Sequence, residues 1–140
     1  MSERQLLIDE LIRDEDIKLF PYPDPVGKLT IGVGHNLTDN GISLRAAMFI
    51  LDEDVDNVQH DMTVSFASWF LGLDPVRQRV IMNMRFNLGP NRFRLFKRMI
   101  AAMADHDYVK AAGSMRASKW YGQVGDRSKR LESMMLTGQV

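Results

Sequence analysis

Apolar residues near the start of the chain fall at Leu7, Ile8, Leu11 and Ile12. That spacing lays one stripe along a helix and predicts a helix over residues 3–15 with a buried apolar face. The pattern breaks after Lys18. Pro21, Pro23 and Pro25 alternate with other residues and exclude helix, and Gly27 follows. Leu29-Thr30-Ile31-Gly32-Val33-Gly34 then reads as a short strand. A β-hairpin or three-stranded sheet closing near His35 is expected. Ser43 looks like a helix N-cap, followed at helical spacing by Leu44, Ala47, Met48, Leu51, Val55 and Val58. That helix should run roughly 15–18 residues and join the sheet to a second lobe. Asp74-Pro75 starts another helix, with Asp as cap and Pro in the first turn, and Gly89-Pro90 should stop it. Further helices are predicted near 92–104 and 107–116, and from Asp126 to about Gly138. The expected fold class is α+β, a small mostly β lobe and a helical lobe.

The 140 residues hold 45% hydrophobic and 26% charged side chains, ordinary values for one domain or two small lobes. With no cysteine there is no disulfide framework and no thiolate chemistry. No apolar run is long enough to cross a bilayer, and Met1-Ser2-Glu3-Arg4 does not open a signal sequence. The ten methionines and most phenylalanines sit at helical spacing, the pattern of core packing. The zero net charge hides a polarity: residues 1–74 carry −9 and residues 75–140 carry +9. A basic half suits an anionic partner, although the two halves could equally attract each other.

Acids are abundant in the first half, and most must be solvated surface charge. Glu15 ends the first helix, and Asp24 follows nine residues on, at the start of the hairpin. Two carboxylates facing a cleft are the minimum for glycoside hydrolysis, one protonating the leaving oxygen and one steering water. Spacing alone does not separate this pair from other acids. His35 invites a metal reading, but His60 and His106 lie in unrelated contexts and no cysteine assists. The Gly32-x-Gly34 pair lacks the full dinucleotide fingerprint and no parallel βαβ unit follows it. Arg92, Arg94, Lys97 and Arg98, interleaved with Phe93 and Phe96, suggest a nucleic-acid surface, yet those Phe positions fit a helix core equally well.

The order of residues narrows the choice. Glu15 is followed by Tyr22-Pro23-Asp24 and then Gly27-Lys28-Leu29-Thr30-Ile31-Gly32-Val33-Gly34-His35. Later come Asn83-Met84-Arg85-Phe86-Asn87-Leu88-Gly89, Ser118-Lys119-Trp120-Tyr121 and Arg127-Ser128-Lys129-Arg130. In this order the chain resembles the phage-type lysozymes, glycoside hydrolase family 24, across nearly its whole length. The resemblance implies a lysozyme-like α+β fold in a single domain over 1–140. Its small β lobe would span 14–42, its connecting helix 43–58, and its helical lobe 1–13 with 59–140.

By position, the resemblance makes Glu15 the general acid, Asp24 the second carboxylate and Thr30 a holder of the attacking water. It places Asn36, Phe86, Asn87, Ser114 and Gln123 at or beside the glycan, with Trp120 a core anchor below the cleft. His35 would pair with Asp54, and Arg127 would stand beside the acid. An inverting hydrolase needs its carboxyls ~6.5–9.5 Å apart to admit water. Partial desolvation of Glu15 would favour its protonated form, while Arg127 would oppose that. The implied activity is cleavage of the β-1,4 bond between N-acetylmuramic acid and N-acetylglucosamine in peptidoglycan. No cofactor, metal, nucleic acid or membrane anchor is implied. A monomeric endolysin would gather in the cytoplasm of the producing bacterium and reach the wall through a separate holin. A silent wall-binding or tail-associated module and a lytic transglycosylase are the alternatives. Two departures stand out. Asn36–Gly41 is expected to lead almost directly into the connecting helix, where the family's T-even member has an extra small helix. The three prolines should stiffen the loop that carries Asp24.

Overall fold

The computed structural model describes residues 1–140, and the α+β architecture is as expected. The chain forms two compact units, Met1–Ile50 and Leu51–Val140.

The first unit opens with α1 (Glu3–Glu15), whose N-terminus is capped by Ser2, its side chain accepting from the Gln5 N–H. Strands β1 (Lys18–Pro23), β2 (Leu29–Gly32) and β3 (His35–Asn36) form one antiparallel sheet in the order β1-β2-β3. Tyr22 pairs with Thr30 and Ile31 with His35. The β1–β2 ladder is irregular between Lys18 and Tyr22, where Pro21 offers no N–H. The expected burial of the α1 stripe is not met within this unit, since no α1 residue is buried there. Strands of six, four and two residues are too small a surface to cover a helix face.

The loop after the sheet also differs from expectation. Residues Leu37–Asn40 form a one-turn helix, α2, closed by Gly41 at φ +57. Asn36 builds it: its Oδ1 accepts from the Asp39 N–H at 3.0 Å and its Nδ2 donates to Asp39 Oδ2 at 2.9 Å. Ser43 then caps α3, accepting from the Ala46 N–H at 3.1 Å. Helix α3 (Leu44–Ser65) has 22 residues, longer than predicted. Its buried positions, Val58 and Met62, extend the apolar stripe one turn past the predicted end.

The second unit holds the core. After α4 (Ala67–Phe70), a turn the periodicity does not reveal, Asp74 caps α5 (Pro75–Arg94) by accepting from the Arg77 N–H at 3.0 Å. Gly89-Pro90 interrupts α5 where the stop was predicted, but a second helical segment begins at once and the two run on across a kink. Gly89 takes φ +80 and ψ 168, and Pro90 restarts the helix, a position its fixed φ suits. The predicted 92–104 helix is therefore split, its first turn belonging to α5 and the rest to α6 (Lys97–Ala104). Helices α7 (Tyr108–Arg116), α8 (Lys119–Gln123) and α9 (Asp126–Thr137) complete the unit, α9 ending at Gly138 with φ +68. Met62, Met84, Met99, Met103, Met115 and Met135 are fully buried beside Phe93. Unbranched thioether side chains fill the irregular gaps where short helices meet.

One ionic clasp ties this core to α3. Asp61 Oδ2 accepts from Arg85 Nε at 2.7 Å, and its Oδ1 accepts from Arg94 Nη2 at 2.6 Å. Arg85 precedes the Gly89 kink and Arg94 follows it, so a single carboxylate fixes the angle between the two parts of α5. The Arg94 guanidinium holds the Asp61 carboxyl well below the usual carboxylate range; burial opposes this, while Arg85 and Ser65 add to it. Such a group contributes stability above its unfolded-state value of 3.8 and loses it as pH falls toward the lower native value. Asp61→Asn should cost about 1–3 kcal/mol at neutral pH. Its melting temperature should also fall less steeply than the parent's between about pH 5 and pH 2. Parallel melting curves over that range would show that the clasp does not carry the acid sensitivity.

Candidate active site

The first unit holds Glu15 at the end of α1, Asp24 in the β1–β2 turn, Thr30 on β2, and His35 and Asn36 on β3. Asp24 organises its own turn. Its Oδ1 accepts from the Val26 N–H at 2.9 Å and the Lys28 N–H at 2.8 Å, and its backbone N–H donates to the Lys28 carbonyl at 2.8 Å. Pro25, next in the turn, has its own φ preset by its ring. One carboxylate oxygen is thus committed to the turn, while Oδ2 makes no hydrogen bond within the unit. Thr30 is buried, and its Oγ1 donates to the same Lys28 carbonyl at 2.9 Å. With its proton committed there, this hydroxyl can only accept from a further partner such as water. The backbone of Lys28 therefore joins Asp24 and Thr30.

Glu15 is the last residue of α1. Asp16 ends the helix at φ +62, its N–H donating to the Ile12 carbonyl at 2.9 Å. Asp16 Oδ1 accepts from the Ile17 N–H at 2.8 Å, and with Lys18 3.3 Å away this lowers the Asp16 pKa. The backbone reversal sends the chain into β1 and leaves the Glu15 side chain against the β2–β3 turn, where Gly34 lies.

His35 and Asn36 have local partners. His35 Nε2 bonds to the Gly41 carbonyl at 2.5 Å, which fixes Nε2 as the donor and ties the sheet to the end of α2. Asp54, its partner by resemblance, lies on α3 among residues of the second unit. Both polar groups of Asn36 are engaged by Asp39, so it serves first as a cap.

The remaining candidates lie in the second unit, around two concavities. Phe86 and Arg127 line one of about 360 Å³, with Asn83 and Val55. Arg127 Nε donates to Asn83 Oδ1 at 2.8 Å. Asn83 opens the motif that contains Phe86 and Asn87, and its role as the holder of Arg127 was not anticipated. Asn87 Oδ1 accepts from Trp120 Nε1 at 2.8 Å, and Trp120 is buried, in keeping with an anchor role. Ser114 and Gln123 line a larger groove of about 890 Å³ whose floor includes Phe96 and Trp120. Arg92, Lys97, Arg98, Lys110 and Lys119 rim this groove, and no acid lines it. None of the five makes an ion pair, whereas Arg94 is spent on Asp61 and Phe93 is buried. The groove gives the basic half of the sequence a location.

An acid at a helix end and a turn-locked carboxylate in the same small unit fit a glycoside hydrolase. Residues 13–134 match the family described as phage lysozyme, and the chain belongs to that family. It is a glycoside hydrolase of the lysozyme class. Two similar proteins from Dictyostelium discoideum are named probable T4-type lysozymes 1 and 2. They are 29% and 26% identical over 94% and 96% of this chain, covering 94% and 95% of their own lengths. The pre-baseplate central spike protein Gp5 of Enterobacteria phage T4 is 27% identical over 96% of the chain, which spans 28% of that protein. These alignments run to 161–164 positions against 140 residues here, so the relatives carry insertions.

The turn makes a direct prediction about Asp24. Asp24→Asn keeps an oxygen that can accept from Val26 and Lys28, so its stability in urea should stay close to that of the parent. Asp24→Ala removes the acceptor and should cost about 1–2 kcal/mol. Equal losses for the two variants would refute the turn role.

Proposed function

We propose that this protein is a peptidoglycan muramidase that hydrolyses the β-1,4 bond between N-acetylmuramic acid and N-acetylglucosamine with inversion. The observation that carries this reading is that Glu15, Asp24 and Thr30 all fall within the span matched to the phage lysozyme family and on one small sheet unit. Glu15 protonates the leaving glycosidic oxygen. Asp24, through its free Oδ2, steers and deprotonates a water molecule on the opposite face of the sugar. The Thr30 hydroxyl accepts a hydrogen from that water, because its own proton points to the Lys28 carbonyl. Carboxyls ~6.5–9.5 Å apart in the substrate-bound enzyme leave room for the water.

His35 and Asp54 serve as structural residues in this reading, and Arg127 acts beside the acid. Asn36, Phe86, Asn87, Ser114 and Gln123 border the glycan. The five cations around the groove draw the anionic wall by a salt-sensitive attraction. The protein acts as a monomeric endolysin that gathers in the cytoplasm of the producing bacterium and reaches the wall after a separate holin opens the membrane. No helix of the chain is long and apolar enough to cross a membrane. The spike protein Gp5 of phage T4 favours a second reading, in which this unit is part of a tail-associated assembly.

Clearing of permeabilised Gram-negative cells and of purified peptidoglycan tests the assignment. The parent should clear both and release new reducing ends, and Glu15→Gln should lower the rate by roughly 100-fold or more. Clearing by Glu15→Gln at the parental rate would remove Glu15 from the mechanism, and a folded parent that clears nothing would favour the silent module.

A further inference from the structure

The turn between β2 and β3 carries two glycines in the left-handed region, Gly32 at φ +69 and Gly34 at φ +62. Backbone conformation alone favours glycine at both. Their surroundings differ. A Cβ at Gly32 would meet nothing within 4 Å. A Cβ at Gly34 would stand 2.9 Å from Glu15 Oε2, 3.0 Å from its Cδ and 3.2 Å from its Cγ. Those separations lie well inside an ordinary non-bonded contact of about 3.5–4.0 Å.

No hydrogen bond or ion pair within the unit holds the Glu15 carboxyl; the neighbouring acids Asp14 and Asp16 are the ones that take Arg13 and Lys18. Helix α1 ends immediately after it, where Asp16 reverses the backbone. Within the unit, two things therefore set the position of the carboxyl: the end of the helix, and the bare backbone of the turn. We infer that Gly34 is a positioning residue for Glu15, its missing side chain forming the seat on which the carboxyl rests. Its catalytic consequence rests on the proposed role of Glu15 as the acid; the seat itself does not.

Gly32 supplies the control. Gly34→Ala and Gly32→Ala impose the same kind of backbone strain, but only the first intrudes on Glu15. Each is made in the parent and in a Glu15→Ala chain, and thermal stability is measured for all four. Gly34→Ala should destabilise the parent more than Gly32→Ala does, and the excess should vanish in the Glu15→Ala chain. The carboxyl carbon of Glu15, followed by NMR through a pH titration, should shift in Gly34→Ala and not in Gly32→Ala. Misplacement of the acid should lower kcat roughly 10- to 100-fold in Gly34→Ala while Gly32→Ala stays within about threefold.

If Gly34→Ala alone does not fold, its folding in the Glu15→Ala chain is the same coupling in a stronger form. Equal destabilisation by Gly34→Ala with and without Glu15, or an unchanged Glu15 titration, would overturn the inference. An active Glu15→Gln enzyme would instead defeat the catalytic assignment, while the stability coupling would still report on the seat.

Discussion

Asp24 Oδ1 receives two backbone N–H groups, and the unit around it has almost nothing else with which to hold a shape. Among residues 1–50 only Thr30 is buried. A sheet this small cannot position the proposed catalytic groups by packing, and turn chemistry holds its polar side chains instead. Asp24 closes the β1–β2 turn, Thr30 bonds to the same Lys28 carbonyl, Asn36 caps α2, and His35 fastens the far end at Gly41. Each polar side chain spends one group on the backbone. What remains free, one oxygen of Asp24 and the lone pairs of Thr30, is what the proposed chemistry uses. In the proposed mechanism, local stability and reactivity are coupled at the level of single atoms.

The second unit solves the opposite problem. Its many short helices meet at irregular angles, and fully buried methionines fill the gaps. Directional order comes from a few polar contacts placed at the joints. The Asp61 clasp spans the Gly89 kink, Trp120 is pinned by Asn87, and Arg77 donates to the Met135 carbonyl at 2.8 Å near the end of α9. A nonspecific apolar core with a handful of charge-assisted bonds gives a rigid scaffold. Its outer face keeps five unpaired cations around one groove.

The sequence was legible where a signal is local. The Ser43 and Asp74 caps, the Gly138 stop, the proline-broken sheet and the methionine core all follow from short-range rules. It was incomplete where one residue serves two purposes. Gly89-Pro90 reads as a stop, yet the same pair ends one helix segment and begins the next. Asn36 reads as a sugar ligand by position, and Asp39 three residues on makes it the cap of α2 as well. The apolar stripe of α1 predicted burial that its own unit does not provide, because periodicity reports which face is apolar and not what covers it. The Asp61 clasp links residues 24 and 33 positions apart, and no local pattern announces such a contact. Phage lysozyme motifs single out Glu15 as the candidate acid, but only the structure reveals how closely Gly34 approaches it.

The central claim is that the first unit holds an acid and a water-directing carboxylate rather than an acid alone. The anomeric form of the first product tests this most directly. Proton NMR of peptidoglycan fragments, recorded early in the reaction, reports the configuration at the new N-acetylmuramic acid reducing end before mutarotation. Attack by water held at Asp24 and Thr30 predicts the α anomer. A β anomer would require a covalent or doubly displaced intermediate, and 1,6-anhydro ends would mean that no water is directed at all; either would contradict the account.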